Sequence, residues 1–469
     1  MSATATTEKK YLKWYQKLAY GSGDLASNCS YGLVSSFVLL YLTGTLGLDS
    51  AIIGSLMLAS KVLDGISDVI FGTLIDRTHS KLGKARPWML FGQVGVSLCL
   101  FLLFAIPAGS TTMQYIYFFI VYTALNAVFY TANGIAYSSL VALITKNNNE
   151  RVQLGSFRFM FAVVTNIFMG FAVTGMVEKF GSGAAGWRTT ALIFAIVGLV
   201  VNTISCLAVK ELPEEELSGN TSEAAEEGKA VAEEKKHGFA ETAKILVHNK
   251  YYLMILAIYI VYYIMSNLTT GAGVFCATYY WGDGSLLGQF SMMKMFPVII
   301  ALAIAPVLIK KTGSMQKVNF WGYAISSVLG IPMIYFAMQK NLSMFLLFMF
   351  IKGVFAGTLS GSLNALIAEA SGYTTRTTGI HMDGMMYSCS SLGVVGGGIG
   401  TAAVGWLLKL GGFVGTATVQ SESAIRMIFN LYITFPFVIG IIITVLLAFL
   451  DVEKANKKWD AEHQKEAQA

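Results

Sequence analysis

The chain has 469 residues, of which 55% are hydrophobic and only 13% charged, with a mean hydropathy of +0.60. That balance is too apolar for a soluble protein of this length and excludes a water-soluble catalytic domain. The net charge of +6 is spread through short basic loops, so it carries topology and no nucleic-acid patch. Twelve apolar runs are long enough to span a bilayer, at residues 18–42, 51–75, 88–106, 115–143, 157–177, 189–208, 251–281, 290–309, 318–338, 343–370, 385–410 and 424–449. The expected fold is therefore an all-α membrane protein.

The amino-terminal residues 1–17 are polar and carry Lys9, Lys10, Lys13 and Lys17, with no small-residue cleavage site after the first run. No removable signal peptide is expected. With the amino terminus inside, the outer segments hold only Lys179, Arg188, Lys340, Lys409 and Arg426, and Lys61, Lys294 and Lys352 fall within spans. The remaining 25 of the 33 Lys and Arg residues are then cytoplasmic, which puts both termini inside a cell membrane. The five cysteines (Cys29, Cys99, Cys206, Cys276 and Cys389) lie in apolar runs without CxxC spacing, and the histidines fall in loops or at span ends. Disulfides, metal-centred hydrolysis and any cofactor are not expected.

The first run opens with Tyr20-Gly-Ser-Gly-Asp24 and continues through Asn28, Ser30 and Tyr31, a polar and glycine-rich stripe that either packs closely or walls a cavity. The second contains Lys61-Val-Leu-Asp-Gly-Ile-Ser-Asp68. Its 25 residues reach roughly 37 Å at about 1.5 Å each, so Asp64 sits near mid-membrane. An unpaired charge at that depth costs at least about 2.5 to 3.5 kcal/mol and should face protein or a wet cavity. Lys61, Asp64 and Asp68 recur at three and four residues, so they share one helix face. Two readings fit: an ion pair that fixes helix packing, or a site that binds a cation during transport.

Between the second and third runs lies Gly72-Thr-Leu-Ile-Asp76-Arg77-Thr-His-Ser-Lys81-Leu-Gly83-Lys84-Ala-Arg86-Pro87, a tight basic turn opened by an acid. Asp76, Arg77, Gly83 and Arg86 are its candidate conformational gate. The fourth run carries Asn126, Tyr130, Thr131, Asn133 and Tyr137, and Arg158 begins the fifth. From Glu211 to Ala240 there are nine Glu and three Lys with few large apolar residues, which reads as a solvated linker. Its place divides the chain into an N-terminus 1–17, a six-helix half 18–208, a linker 209–250, a six-helix half 251–450 and a tail 451–469. Two such halves suggest a rocking transporter with its site near mid-membrane. In the second half Tyr262, Tyr263, Asn267, Lys294, Lys352 and Asn364 are the polar groups within spans, Glu369 and Asp383 bracket a cytoplasmic turn, and Gly393–Gly400 is dense in glycine. No strand precedes those glycines, so a dinucleotide loop is excluded.

The turn Gly72–Arg86, together with Tyr20-Gly-x-Gly-Asp24, Val62-x-Asp64-x-x-x-Asp68-x-x-x-Gly72, Gly83-Lys-x-Arg-Pro87 and the stretch from Ala365-Leu-x-Ala-Glu369 to Gly379-Ile-His-Met-Asp383-Gly384, resembles the glycoside/pentoside/hexuronide:cation symporters of the major facilitator superfamily. The resemblance runs from about Leu18 to Leu450. It implies the major facilitator fold, with Asp64 and Asp68 as paired cation-binding carboxylates, Ser67 and Thr131 supplying further oxygens, and Arg158 near the sugar. It also departs from the pattern: Asn28 stands where the melibiose permease has a sugar-binding Asp, Gly134 replaces a second Asp with Asn133 as its polar neighbour, Val395 falls where Lys is common, and Lys61 replaces an Arg. The expected substrate groups are Asn28, Tyr31, Tyr130, Asn133, Arg158 and Asn267. The expected function is symport of a sugar or glycoside with Na⁺, held at Asp64 and Asp68, or with H⁺, by a monomer that is not an enzyme. The alternative is a major facilitator transporter or exchanger for a non-sugar or amphipathic solute.

Overall fold

The computed structural model describes residues 9–213, 216, 239–380, 383–417 and 419–466. These residues form helices, turns and loops, with no strand among them. The long helices are α1 (Trp14–Thr45), α2 (Ser50–Asp76), α3 (Arg86–Leu103), α4 (Thr111–Ile144), α5 (Asn148–Lys179), α6 (Gly183–Leu207), α7 (Lys250–Trp281), α8 (Leu286–Thr312), α9 (Met315–Met338), α10 (Leu342–Thr378), α11 (Ser388–Leu410) and α12, which runs as Glu422–Phe429, Asn430–Thr434 and Phe435–Phe449. Among the described residues eleven helices, all of these but α2, are long and apolar enough to cross a membrane by length and composition. The α2 helix has 27 residues, the expected length of a tilted span.

Local sequence explains where these rods start. Polar caps take up the first free backbone N–H groups: Asp49 accepts from Ala51 and Ile52, Ser110 from Met113, Asn147 from Glu150, Asn249 from Tyr251 and Tyr252, Ser314 from Lys317, and Asn341 from Met344. Such caps matter more than usual where lipid offers no replacement partner. The fifth helix starts at Asn148 rather than at 157, because its polar first turn is held in protein. There Glu150 accepts from the N–H groups of Tyr11 (3.1 Å) and Leu12 (3.2 Å) and from the Thr145 hydroxyl (2.8 Å), and pairs with Lys17 (3.0 Å). Within the expected 209–250 linker, Phe239–His248 is helical, and residues 217–238 lie outside the described residues.

The chain divides into two compact units. The first comprises Met1–Gly219, Ala277–Gly288 and Gly405–Ile425, and the second Asn220–Cys276, Gln289–Val404 and Arg426–Ala469. The first unit thus includes the ends of helices α7 and α11 and the starts of α8 and α12. Side-chain contacts tie the end of α11 to α2: the Ser50 hydroxyl donates to the Gly405 carbonyl (2.9 Å), the Trp406 indole N–H donates to Ser55 (3.0 Å), and Lys409 pairs with Asp49 (2.5 Å). A side chain at Gly405 would meet the Ser50 carbonyl at 2.2 Å, so only glycine permits this approach. In the first unit Tyr20, Met89, Tyr137 and Cys206 are core residues; in the second, Tyr259, Leu363 and Leu447 are.

A repeated device relates the two units. Glu211, just past α6, accepts from the N–H groups of Lys84 (2.7 Å), Ala85 (3.0 Å) and Arg86 (3.1 Å) at the start of α3. Glu453, just past α12, accepts from the N–H groups of Met315 (2.8 Å) and Gln316 (3.3 Å) and from the Ser314 hydroxyl at the start of α9. A carboxylate on the positive end of a helix is stabilising in both. In each unit a glutamate a few residues beyond the sixth long helix, Glu453 being in the first turn of a further helix Val452–Glu466, holds the start of the third.

Candidate functional site

The polar face of α2 carries a part-buried charged pair. Lys61 Nζ lies 2.8 Å from Asp64 Oδ2, with the two side chains 19% and 15% exposed. The other carboxylate oxygen, Oδ1, accepts from Thr131 Oγ1 at 2.7 Å. Thr131 is aimed by a π-helical turn at Ala124–Tyr130, and its oxygen also lies 3.0 Å from the Asn126 carbonyl. Such wide turns commonly occur at functional positions. Ser67 donates to the Asp64 carbonyl (2.7 Å), which fixes its oxygen beside the same turn of α2. Asp68 is exposed one turn further on. Tyr31 of α1 and Tyr130 of α4 stack with ring centroids 5.7 Å apart.

A second charged pair lies between α1 and α5. Arg158 Nε is 2.6 Å from Asp24 Oδ2, and its guanidinium carbon sits 4.2 Å above the Tyr137 ring. The Tyr137 hydroxyl donates to the Tyr20 carbonyl (2.8 Å), and the Tyr20 hydroxyl returns a short bond to the Tyr137 carbonyl. Asn28 donates to the Asp24 carbonyl (2.7 Å) and accepts from Asn166 (2.9 Å). Asp24, Asn166 and Tyr20 were absent from the expected site. A carboxylate inside an apolar run was the available signal for Asp24.

Of the carboxylates of Asp24, Asp64 and Asp68, two are paired with a basic group. Lys61 offsets Asp64 and Arg158 offsets Asp24, which leaves Asp68 as the surplus carboxylate. Among the described residues no three His, Cys, Asp or Glu come together. A bound metal ion would therefore be held by at most two carboxylates completed by neutral oxygens such as Thr131 Oγ1, a donor set suited to a hard monovalent cation.

Three expected residues are placed differently. Asn133 is 1% exposed and donates to Gln93 of α3 (2.8 Å), so it joins helix packing and is withdrawn from the substrate set. Asp76 and Arg77 are exposed at the end of α2, and among the described residues no ion pair engages either. The acid that organises the basic turn is Glu211: Gly83 has φ +112°, and a Cβ there would meet the Glu211 carboxyl carbon at 2.3 Å. Arg86 donates from Nε to the Cys206 carbonyl (3.2 Å). In the second unit Asn267 donates to the Tyr263 carbonyl (3.0 Å) and Glu369 accepts from Asn456 (2.9 Å). The side chain of Asp383 lies outside the described residues.

Comparison with known proteins agrees with this architecture. Residues 19–454 match the family described as MFS/sugar transport protein. The isoprimeverose transporter of Lactiplantibacillus pentosus is 26% identical over 466 residues, covering 98% of this chain and 93% of the relative. A glucuronide carrier protein homolog of Escherichia coli (strain K12) is 23% identical over 408 residues, covering 86% and 85%. The crystal structure of a D-xylose–proton symporter superposes with a TM-score of 0.63 at 13% identity, covering 94% of this chain and 98% of that one, a likeness of fold alone. The chain belongs to the MFS/sugar transport protein family, is similar throughout to glycoside symporters, and is a membrane transporter rather than an enzyme.

Proposed function

We propose that the protein is a twelve-helix secondary transporter of the cell membrane, with both termini cytoplasmic and α2 as a full span. As a monomer it carries a small hydrophilic solute, a glycoside, pentoside or hexuronide, together with Na⁺. The names of its relatives support the solute class, and the inside-positive charge supports the topology. The observation that carries the coupling is the Thr131–Asp64–Lys61 group, where one carboxylate is fully engaged while Asp68 stands a turn away.

In this reading Lys61 is the internal counter-ion of Asp64. Na⁺ arriving at Asp68 draws Asp64 away from the ammonium and takes Thr131 and Ser67 as neutral ligands, which resets the face of α2. Asn28, Tyr31, Tyr130 and Arg158 are the solute-facing groups of the first half, and Asn267 is the polar group of the second. Aromatic faces suit the apolar side of a sugar ring, and the arginine suits its hydroxyls or a carboxylate. Coupling is then a difference in affinity: the ion favours the state that holds solute, and solute raises ion affinity by the same factor. Glu211, Gly83 and Arg86 hold the cytoplasmic turn while the state changes, with Asp76, Arg77, Glu369 and Asp383 as further gate residues.

The test is thermal unfolding of the purified protein against a panel of neutral glycosides, pentosides and hexuronides, each with Na⁺ and with choline. Binding to the folded state raises the unfolding temperature by mass action. A solute that stabilises only when Na⁺ is present supports the reading, and a panel indifferent to Na⁺ opposes it.

A further inference from the structure

The second unit contains a cavity of about 190 Å³ among α7, α8, α9, α10 and α12. It exceeds the roughly 150 Å³ apolar cavity that accepts a benzene-sized guest. Most of its wall is apolar, with Met265, Met293, Phe345 and Met349 among the lining residues. Two lysines, Lys294 of α8 and Lys352 of α10, also line it. Their helices are in register there: a Cβ on Gly353 would lie 2.9 Å from Pro297 and 3.6 Å from the Met293 carbonyl, so the lysines occupy adjacent positions of one helix contact.

Among the described residues no carboxylate balances them. Lys294 donates to the Thr270 hydroxyl at 3.2 Å, and among the described residues neither lysine forms an ion pair. The sequence gives the reason, since no Asp or Glu occurs from 284 to 368, from 384 to 421 or from 423 to 450. Asp283, Asp383 and Glu422 sit at helix ends or in loops, and Glu369, in the last third of α10, accepts from Asn456 (2.9 Å). An isolated ammonium in a span costs several kcal/mol, and intramembrane cations that persist face a partner or a pathway. Methionines supply an adaptable apolar wall for a guest of varied shape.

We propose that Lys294 and Lys352 form an oxyanion-binding site, taking the carboxylate or sulfonate of a small organic anion whose apolar body rests on the methionine and aromatic wall. This assignment rests on the reading of the chain as a solute symporter and narrows its solute to an anionic, partly apolar one. It also matches charge to charge: the first unit has a surplus carboxylate for the cation, and the second has two ammonium groups for the anion.

The experiment uses the full chain in nanodiscs of zwitterionic lipid with Na⁺ present. Two probes differ only in the charged group, 4-nitrophenyl β-D-glucuronide and 4-nitrophenyl β-D-glucoside. The glucuronide is expected to bind at least tenfold more tightly. Lys294→Gln and Lys352→Gln are each expected to remove that preference, and Lys352→Arg to keep most of it. Stabilisation by Na⁺ alone reports that a variant is folded and that the ion site of the first unit works. If Na⁺ stabilises the protein but the two probes bind equally, or the glutamine variants keep the preference, the oxyanion site is refuted while the symporter reading stands. If Na⁺ has no effect on the unmodified protein, the symporter reading is what fails. Repeating the titration in nanodiscs containing phosphatidylglycerol separates the sources: loss of glucuronide binding there, restored by either lysine variant, would assign the site to a lipid headgroup and overturn the solute assignment.

Discussion

Replacing Lys61 by Gln gives the sharpest perturbation of the proposed ion site. The ammonium and Asp64 are 2.8 Å apart and largely shielded, with side chains 19% and 15% exposed. Two unit charges about 4 Å apart attract by about 4 kcal/mol at an effective dielectric of about 20, but desolvation offsets much of this. The net worth of a hydrogen bond to a charged group, about 1.5 to 3 kcal/mol, is the better measure of what Na⁺ must displace. At about 1.4 kcal/mol per decade, removing the competitor should tighten Na⁺ binding by about ten- to a hundredfold. Thr131 still donates to Asp64, so the carboxylate stays in place. The assay is the Na⁺ concentration that gives half of the maximal thermal stabilisation, measured at alkaline pH so that protons do not fill the site. An unchanged or weaker midpoint would show that Lys61 orients the site rather than competing for it, and the double variant Lys61→Gln, Asp64→Asn should not respond to Na⁺ at all.

Other residues give independent checks. Glu211→Ala removes the acceptor for three backbone N–H groups at 2.7–3.1 Å. From cap and helix-dipole magnitudes it should lower stability by about 2 to 3 kcal/mol; unfolding in denaturant that matches the unmodified chain would refute the capping role. Burial raises the Asp49 carboxyl, but Lys409 and the N–H groups of Ala51 and Ile52 more than reverse this and hold it below its usual 3.8. A carboxyl lowered by folding stabilises above its unfolded value and loses that contribution as pH falls through its folded value. Thermal stability should therefore decline below about pH 4, and Asp49→Asn should flatten that part of the profile. Asp64→Asn should abolish ion-driven accumulation while solute binding persists within a few-fold, because Arg158 and Asn28 lie on other helices; loss of binding with coupling intact would contradict the division of labour.

Much of this was readable from the chain because lipid leaves little choice of structure. Eleven of the expected runs recur as helices apolar enough to span, and the run at 51–75 is the helix Ser50–Asp76. The Lys61–Asp64 contact followed from spacing alone, since residues three apart share a face. The same periodicity, applied to Asn133 and Thr131, separates two residues that the sequence reading placed in the substrate and cation sets. They are two residues apart, roughly 200° around the helix at 3.6 residues per turn, and Asn133 indeed points to Gln93. Long-range partners were not legible. Glu211 reaches back 127 residues to Lys84, and Arg158 reaches back 134 to Asp24; no local pattern encodes such separations. Lys294 and Lys352 were visible as charges in spans, but only the register of α8 on α10 shows that they line one cavity.

The central claim is that Na⁺ binding at Asp64 and Asp68 drives solute uptake. Its direct measurement is uptake of a stabilising solute into sodium-free proteoliposomes at alkaline pH, before and after NaCl is added outside. Accumulation on adding NaCl, absent with choline chloride and absent in Asp64→Asn, is the predicted result. If NaCl has no effect while an imposed pH gradient drives accumulation, Asp64 and Asp68 carry a proton and the metal-ion account is wrong.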